Sequence, residues 1–522
     1  MIKNNISDKK IHIIFGAVML VFTVFRIWYA GRIELAYDEA YYWGWSQRLA
    51  VAYYDSGAIL AWVIRFFTEI FGNSEIGVRM GSIIFSLGTS VILYVFSLMF
   101  APALFAFIGV IIFAVTPGGL LVSLLMMHDS LMAFFWLSAV FFIFKGITKN
   151  ENRWWYFAGI ASGFGLWSKD TMILIIPCTL LFLLLSKEHR CRLKRKEPYI
   201  AVMIMLIIFS PMLIWNALHN WVTYRHIFAL STRSDTVFSF STFFEFLGSQ
   251  LGLISPFIWL LIAGSWIYCL RDWLSTKDYK PLFILMYSLV VFLFFLALSF
   301  RTTIEGNWAG FCYYAGLIGL ASWLNKLVVN NKKKLVTGLL AVAILFSVLL
   351  GALILFPKIM YIIVPKLPIA KTEVERILEI DRTNEVNGWK QLGNALDRIE
   401  KGLELKKPVF IFTGSYQFAS EIKFYYKGNA QVFCYPGDRR MNQFDVWAGW
   451  NNIIDYDALF VTRLGDEGWQ IPEIAPLFES IELVENIDIM RTGVTSKPIR
   501  RLSIYVCRNF KGLAEGKEFK YF

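Results

Sequence analysis

The chain has 522 residues, 57% of them hydrophobic, 17% aromatic and only 17% charged. That balance excludes an ordinary soluble globule and fits a polytopic membrane protein with room for one soluble domain. The formal charge of +12 does not point to nucleic acid, because the basic residues sit in short clusters between apolar runs, as in cytoplasmic loops facing anionic lipid.

The first apolar run, at about 11–30, is long enough to span. No small-residue cleavage site accompanies it, so it is expected to stay as an anchor. Further runs follow at about 77–99, 102–119, 130–146, 154–168, 171–186, 199–216, 250–270, 281–299, 309–325 and 335–356, which predicts about eleven transmembrane helices. The stretch at about 58–72, "AILAWVIRFFTEIFG", is too short and too charged to cross and reads as a helix lying in the interface.

Lysine and arginine set the orientation. With a cytoplasmic N-terminus, the cytoplasmic segments hold about 19 of them, including "KEHRCRLKRKE" and the "KKK" at 332–334. The opposite loops hold about eight: Arg32, Arg48, Arg65, Arg79, Lys169, Arg225, Arg233 and Arg301. The first loop, about 31–76, then faces outward, and an odd number of spans exports the C-terminus.

Residues 1–364 are read as the membrane domain and 365–522 as an exported soluble domain. In the latter, "GWKQLGNALDRIEKGL" and "SYQFASEIKFYYKG" read as helices and "PVFIFTG", "AQVFCYP" and "DALFVTRL" as strands, the rhythm of a small α/β fold. It contains no glycine-rich phosphate loop. Of six cysteines, Cys434 and Cys507 are candidates for one disulfide in an oxidising compartment, with unpaired thiols as the alternative.

The polar clusters fall on the outer face in this topology. They are "YDEAYYW" with Asp38 and Glu39, Asp55 in "AYYDSGA", "MMHDS" with His128 and Asp129, "WSKD" with Lys169 and Asp170, "RTTIEGNW" with Arg301, Glu305 and Asn307, and "WNALHNWVTYRHIF" with His219, Arg225 and His226. Taken singly, an acid at a helix start is a cap or a dipole partner, and Lys169 or Arg79 is an interfacial anchor. Together, carboxylates, imidazoles and cations beside an apolar wall form the setting in which proton affinities shift and charged substrates bind.

The same segments, in order, resemble the dolichyl-phosphate-mannose-protein mannosyltransferase family, of the GT-C type, in particular bacterial members similar to the aminoarabinose transferase of lipid A. "DEAYYWGWSQRLAVAYYDSGA" is similar to the family's Asp-Glu loop and tyrosine-rich stretch, and "MMHDSLMAFFW", "GLWSKDTMIL", "WNALHNWVTY" and "GNWAGFCYYAG" to its later membrane motifs. The chain departs from the pattern at Ser56-Gly57-Ala58 and at Ala309, where relatives commonly place proline.

The resemblance implies an integral-membrane glycosyltransferase. A sugar on polyprenyl phosphate is the donor, lipid A or another envelope glycan or glycolipid the acceptor, and transfer on the periplasmic face of the inner membrane is an inverting displacement. Asp38, Glu39 and Asp55 are then the candidate catalytic residues, with Asp38 as general base for a hydroxyl acceptor and as a positioning group for a phosphate. Lys169, Arg301 and Arg79 are candidates for the donor phosphate. Tyr41, Tyr42, Tyr54, His128, Asp129 and Asn307 are candidates for substrate contact, and interfacial belting is the other reading of the tyrosines. A divalent ion is an open possibility, with His219 and Asp55 as its candidate ligands. A protein O-glycosyltransferase with the same donor is the alternative reading. A lipid-linked sugar transporter is the rival from another class, and would place ionisable residues deep within spans.

Overall fold

The computed structural model describes residues 7–231, 238–363, 377–378, 381–403, 407–437, 439–447, 449–491 and 493–513. Arg233 and the expected domain boundary at 364/365 lie outside the described residues. The fold is mainly α-helical with one small C-terminal sheet.

The membrane part opens with α1 (Asp8–Ala30), the short α2 (Tyr37–Ser46), α3 (Ile59–Phe71) and α4 (Glu75–Ser97). Then come α5 (Ala103–Val115), α6 (Pro117–Leu124), α7 (His128–Lys149), α8 (Asn152–Ser168), α9 (Ile175–Leu185) and α10 (Glu197–Leu218). It continues through α11 (Val222–Ser231), α12 (Phe240–Ile254), α13 (Pro256–Thr276), α14 (Tyr279–Tyr287), α15 (Leu289–Leu298), α16 (Cys312–Val329), α17 (Lys333–Leu355) and α18 (Lys358–Ile363).

All eleven apolar stretches are helical, but they do not all reach spanning length. Among the described residues eight helices are long and apolar enough to cross, or nine if α5 and α6 form one broken span. The other two stretches are α8, with 17 residues, and the apolar segment Asp170–Leu185. α3 has Trp62, Phe66 and Ile70 exposed on one side and Leu60, Ala61 and Ile64 buried on the other, the two-faced pattern of an interfacial helix.

Two breaks in the helices have local causes. Pro117 lacks an N–H and its ring clashes with the preceding turn, so the chain bends by 74° between α5 and α6. Thr116 restarts the helix by accepting a hydrogen bond from the Gly119 N–H on its side-chain oxygen at 3.1 Å. A β-carbon at Gly119 would meet the Phe113 carbonyl oxygen at 1.8 Å, so only glycine permits this bend. At Ser288 the α14–α15 run is interrupted, and the hydroxyl accepts from Trp266 Nε1 at 2.7 Å.

The C-terminal domain adds α19 (Trp389–Gly402), β1 (Val409–Thr413), α20 (Tyr416–Tyr425), β2 (Gln431–Cys434), α21 (Gln443–Trp447), β3 (Asp457–Arg463), α22 (Glu467–Ile474), β4 (Ser480–Met490) and β5 (Pro498–Arg508). The sheet order is β2-β1-β3-β5-β4, with the first three strands parallel and β5 antiparallel to both its neighbours. The β4–β5 hairpin is missing from the sequence reading because β4 is largely open on both sides and alternates weakly. Cys434 on β2 and Cys507 on β5 have two strands between them. At about 4.8 Å per strand they stand far beyond the Cα separation of about 7 Å that a disulfide tolerates, and both are free thiols.

This domain is not a detached module. The Glu34 carboxylate accepts from the Trp389 N–H at 2.6 Å, the Leu35 N–H donates to the Tyr425 hydroxyl at 2.7 Å, and Lys390 pairs with Glu75 at 2.5 Å. Helix α20 lies against α2, with Phe418, Ala419 and Ile422 buried. The first loop and the tail share one packed layer.

Candidate active site

Consecutive residues on a helix point about 100° apart, so the adjacent acids of α2 face different surroundings. Glu39 turns into the membrane bundle and is fully buried with Arg79. Arg79 Nε donates to Glu39 Oε1 at 2.9 Å, and Nη2 lies 2.5 Å from Oε2. The remaining Arg79 N–H groups reach the carbonyls of Ala30 and Ile33, each at 2.8 Å, and of Glu34 at 2.7 Å. All five guanidinium donors are thereby used. Glu39 also accepts from the backbone N–H of Ala36 at 3.0 Å and of Met126 at 2.9 Å.

The pair therefore ties α1, α2, α4 and the approach to α7 together. Glu39, expected as catalytic, and Arg79, expected at the donor phosphate, are brought together here as each other's partners. Both side chains are fully buried, and their polar atoms are used in these contacts.

Asp38 faces the opposite way, toward the soluble domain, and its Oδ1 accepts from the Tyr416 hydroxyl at 3.4 Å. Burial, followed by the nearby Asp55 carboxylate, raises its pKa from 3.8 to about 6. Asp55 sits on a tight turn in which the Tyr53 N–H donates to the Ser56 carbonyl at 2.9 Å. A β-carbon at Gly57 would meet the Trp167 carbonyl oxygen at 2.4 Å, so the turn that departs from the family's proline pattern is fitted closely against the end of α8.

Asp55 is the hub of a second cluster. Its Oδ2 accepts from the Tyr41 hydroxyl at 2.9 Å, while its Oδ1 lies 3.7 Å from His226 Nε2 and 3.8 Å from Arg440 Nη2. Arg440 Nη1 is 3.0 Å from His226 Nε2. Gln443 completes the cluster: its N–H donates to the Tyr41 oxygen, and its side-chain oxygen accepts from the Tyr54 N–H, both at 2.7 Å.

The third cluster lies at the start of α7. Lys169, at the C-cap of α8, pairs with Asp129 Oδ1 at 2.7 Å, and Asn307 Nδ2 donates to Asp129 Oδ2 at 2.7 Å. Asp129 and Asn307 stand at one end of an apolar cavity of about 250 Å³, walled by the α5–α6 bend, α7, α13 and α16. The His128 ring packs edge-on against Tyr42 at 4.7 Å, with its two nitrogens buried.

Tyr42 links the clusters electrostatically. Burial, then Asp38 and Asp55, with Tyr416 and Asp129 after them, push its hydroxyl well above the usual range. Arg301 is exposed and forms no side-chain hydrogen bond or ion pair among the described residues, so the turn that carries it brings Asn307, not Arg301, to Asp129.

A metal at Asp55 does not fit the surrounding side chains. One carboxylate oxygen is bonded to Tyr41, and the other faces Arg440, a fixed positive charge that repels a divalent ion. His219 Nδ1 is 2.8 Å from the Trp215 carbonyl oxygen and its ring stacks on Trp215 at 4.0 Å, so His226 is the histidine that meets Asp55. Among the described residues no group of three or more His, Cys, Asp or Glu is arranged to hold a metal ion.

Sequence reasoning missed Tyr416, Arg440 and Gln443, all from the tail. No motif marks them, since each acts alone and about 200 to 400 positions away from its partners in the chain. The run "SYQFASEIKFYYKG" reads as a helix and resembles the soluble tail of bacterial members of the family, which gives Tyr416 no role in the site.

Residues 55–215 match the family model of dolichyl-phosphate-mannose-protein mannosyltransferase. The chain is 27% identical over 312 residues to a lipid A galacturonosyltransferase, RgtD, of Rhizobium johnstonii, a match covering 59% of this chain and 64% of that protein's length. Its fold is similar to that of ArnT from Cupriavidus metallidurans in the apo state, with a TM-score of 0.63 at 13% identity over 94% of this chain and 97% of the other. ArnT bound to undecaprenyl phosphate matches over the same shares with a TM-score of 0.60 at 14% identity. An Archaeoglobus fulgidus oligosaccharyltransferase, in complex with Zn and sulfate, matches with a TM-score of 0.53 at 10% identity over 86% of this chain and 67% of the other. The ordered motifs and the matched segment make this multi-pass chain similar to the dolichyl-phosphate-mannose-protein mannosyltransferase family, and its membrane fold is that of ArnT.

Proposed function

We propose that the protein is a glycosyltransferase that moves a sugar from a polyprenyl-phosphate donor to lipid A, or to another envelope glycan or glycolipid, on the periplasmic face of the inner membrane. The observation that carries this reading is the apolar cavity ending at Asp129, Asn307 and, through Asp129, Lys169, with Asp38 and Asp55 across Tyr42. It offers an apolar tail, a phosphate and a sugar three adjoining environments. The relatives lend it support: one is named a lipid A galacturonosyltransferase, and another was solved with undecaprenyl phosphate.

In the proposed reaction the acceptor oxygen attacks the anomeric carbon as the bond from that carbon to the polyprenyl phosphate oxygen breaks, inverting the configuration. The departing phosphate takes up negative charge, which Lys169 stabilises by exchanging Asp129 for a phosphate oxygen. Arg301, exposed on the neighbouring loop, approaches the phosphate from solvent. A hydroxyl acceptor gives its proton to the Asp38 carboxylate, whose raised pKa makes it a better base than an exposed aspartate. A phosphate acceptor is already ionised, and Asp38 then positions it. Asp55, held by Tyr41 and Arg440, orients the sugar or the acceptor. Outward-facing polar clusters and a basic opposite end favour a cytoplasmic N-terminus and a periplasmic C-terminal domain.

The test is mass spectrometry of lipid A, glycans and exported proteins from cells with and without the chain, and from cells carrying Asp38→Asn. One sugar missing from a lipid or glycan in both altered strains is expected. If that sugar is missing from an exported protein instead, the protein O-glycosyltransferase alternative is correct. An unchanged set of molecules under expressing conditions sinks the transferase reading.

A further inference from the structure

The end of the membrane domain opposite the active-site clusters holds a second built cavity. Helix α7 carries Asp129 in its first turn, and Asn150 caps its other end in the left-handed conformation, with φ of 55°. Its 22 residues separate the two ends by about 33 Å, the thickness of a bilayer core. At the Asn150 end, Arg192 Nη1 and Arg195 Nη1 both donate to the single Asn150 Oδ1, at 2.6 and 3.0 Å. Arg192 Nη2 also reaches the Ile147 carbonyl at 3.1 Å. Two like charges thus converge on one neutral oxygen, in a cavity of about 440 Å³ that Glu188, His189 and Tyr279 also line.

Among the described residues no ion pair joins the carboxylate there to either arginine: Glu188 is 67% exposed, and its Oε1 lies 3.8 Å from His189 Nε2. His189 Nε2 is buried and makes no hydrogen bond among the described residues. Arg190 is committed elsewhere, with Nε and Nη2 both on the Leu184 carbonyl.

Directly beside this basic cavity runs an apolar groove of about 320 Å³ between α7, α8, α9 and α10. Ile143 of the groove stands one turn before Ile147 of the basic cavity on α7, and Leu193 of the groove follows Arg192 of the cavity in the chain, so the two spaces adjoin. Leu180 and Tyr199, 46% and 59% exposed, lie on the groove's open side, where lipid has access. The Tyr199 hydroxyl donates to the Leu193 carbonyl at 2.8 Å and fixes the rim.

We infer that this is a binding site for one anionic membrane phospholipid, with its phosphate between Arg192 and Arg195 and an acyl chain in the α8–α10 groove. A basic pocket adjoining a lipid-facing apolar groove matches both halves of such a molecule. Neither half alone requires it: the cations suit any phosphate, and the groove suits any alkyl chain. Their adjacency selects a lipid carrying both. The site stands apart from the transfer chemistry and does not rest on the function proposed above.

Native mass spectrometry of the full chain in detergent tests this with dioleoylphosphatidylglycerol, dioleoylphosphatidylcholine and the chain-free headgroup glycerophosphoglycerol. The parent protein is expected to retain phosphatidylglycerol at least tenfold more tightly than phosphatidylcholine, and to bind glycerophosphoglycerol weakly. The Arg192→Ala, Arg195→Ala double variant loses that preference, and the Arg192→Lys, Arg195→Lys variant keeps most of it. Leu193→Trp, which fills the groove but leaves both cations, lowers retention of the two-chain lipid. The melting temperature of each variant in detergent serves as the measure of intact fold. Equal retention of the two phospholipids by the parent, or an unchanged preference in the double alanine variant, overturns the inference. So does glycerophosphoglycerol binding as tightly as the lipid, which marks a soluble-phosphate site instead.

Discussion

Arg79 and Glu39 form an ion pair with both side chains fully buried, one residue along the chain from Asp38, whose carboxyl is raised to about 6. Structural and chemical roles are thus divided between neighbours. Breaking a buried pair by removing one partner leaves an uncompensated charge and costs about 3–5 kcal/mol. Arg79→Ala and Glu39→Ala are therefore expected to lower the melting temperature of the detergent-purified protein sharply. An Arg79→Met, Glu39→Leu double variant is expected to recover part of that loss. A stable but inactive Arg79→Ala protein contradicts this assignment.

Asp38 is expected to trade stability for function. Its folded pKa of about 6 lies above the ordinary 3.8. Between those values the folded state binds the proton more tightly than the unfolded chain, so the stability Asp38 contributes falls as pH rises through the window and stays lost above it. Asp38→Asn is expected to melt a few degrees higher than the parent at pH 8, with the gain shrinking toward pH 4. Equal melting curves at pH 8 count against a strained, raised carboxyl.

The same titration sets the pH dependence of transfer. If the acceptor is a hydroxyl, activity in membranes declines about tenfold per pH unit once pH falls below about 6, because a protonated Asp38 cannot accept a proton. A flat profile between pH 5 and 8, with Asp38→Asn still impaired, identifies Asp38 as a positioning group. Asp38→Asn with full activity removes it from the site.

Arg440 brings the soluble domain into the site, touching His226 at 3.0 Å and lying 3.8 Å from Asp55. Arg440→Ala is expected to cut transfer by tenfold or more, about 1.4 kcal/mol or greater at the transition state, while binding of undecaprenyl phosphate stays near the parent value. Arg440→Lys restores only part, since a point charge cannot reach both partners as the planar fork does. A parallel loss of donor binding places Arg440 on the donor side instead.

The α5–α6 cavity is expected to take the donor's prenyl chain. Val122→Trp narrows it and is expected to weaken undecaprenyl phosphate binding by about tenfold, the scale of losing burial for two methylenes. A short-chain prenyl phosphate is affected less. Equal weakening of both places the chain outside this cavity.

The amino-acid sequence by itself determined the membrane class, the eleven apolar helices and the ordered motifs, because hydrophobic length and helix-breaking residues such as Pro117 act locally. It also determined the α/β character of the tail, through strands that are buried as short continuous apolar runs. Tertiary structure alone decided which polar residues meet. Asp38 and Glu39 read as one acidic pair in the sequence, yet the 100° step of the helix sends Glu39 to Arg79 in the bundle and Asp38 to Tyr416 in the tail. Arg440 and Gln443 join Tyr41, Tyr54 and Asp55 only because α20 docks on α2. Contacts between residues hundreds of positions apart leave no local pattern, so the tail's part in the site was fixed by packing and not by any motif.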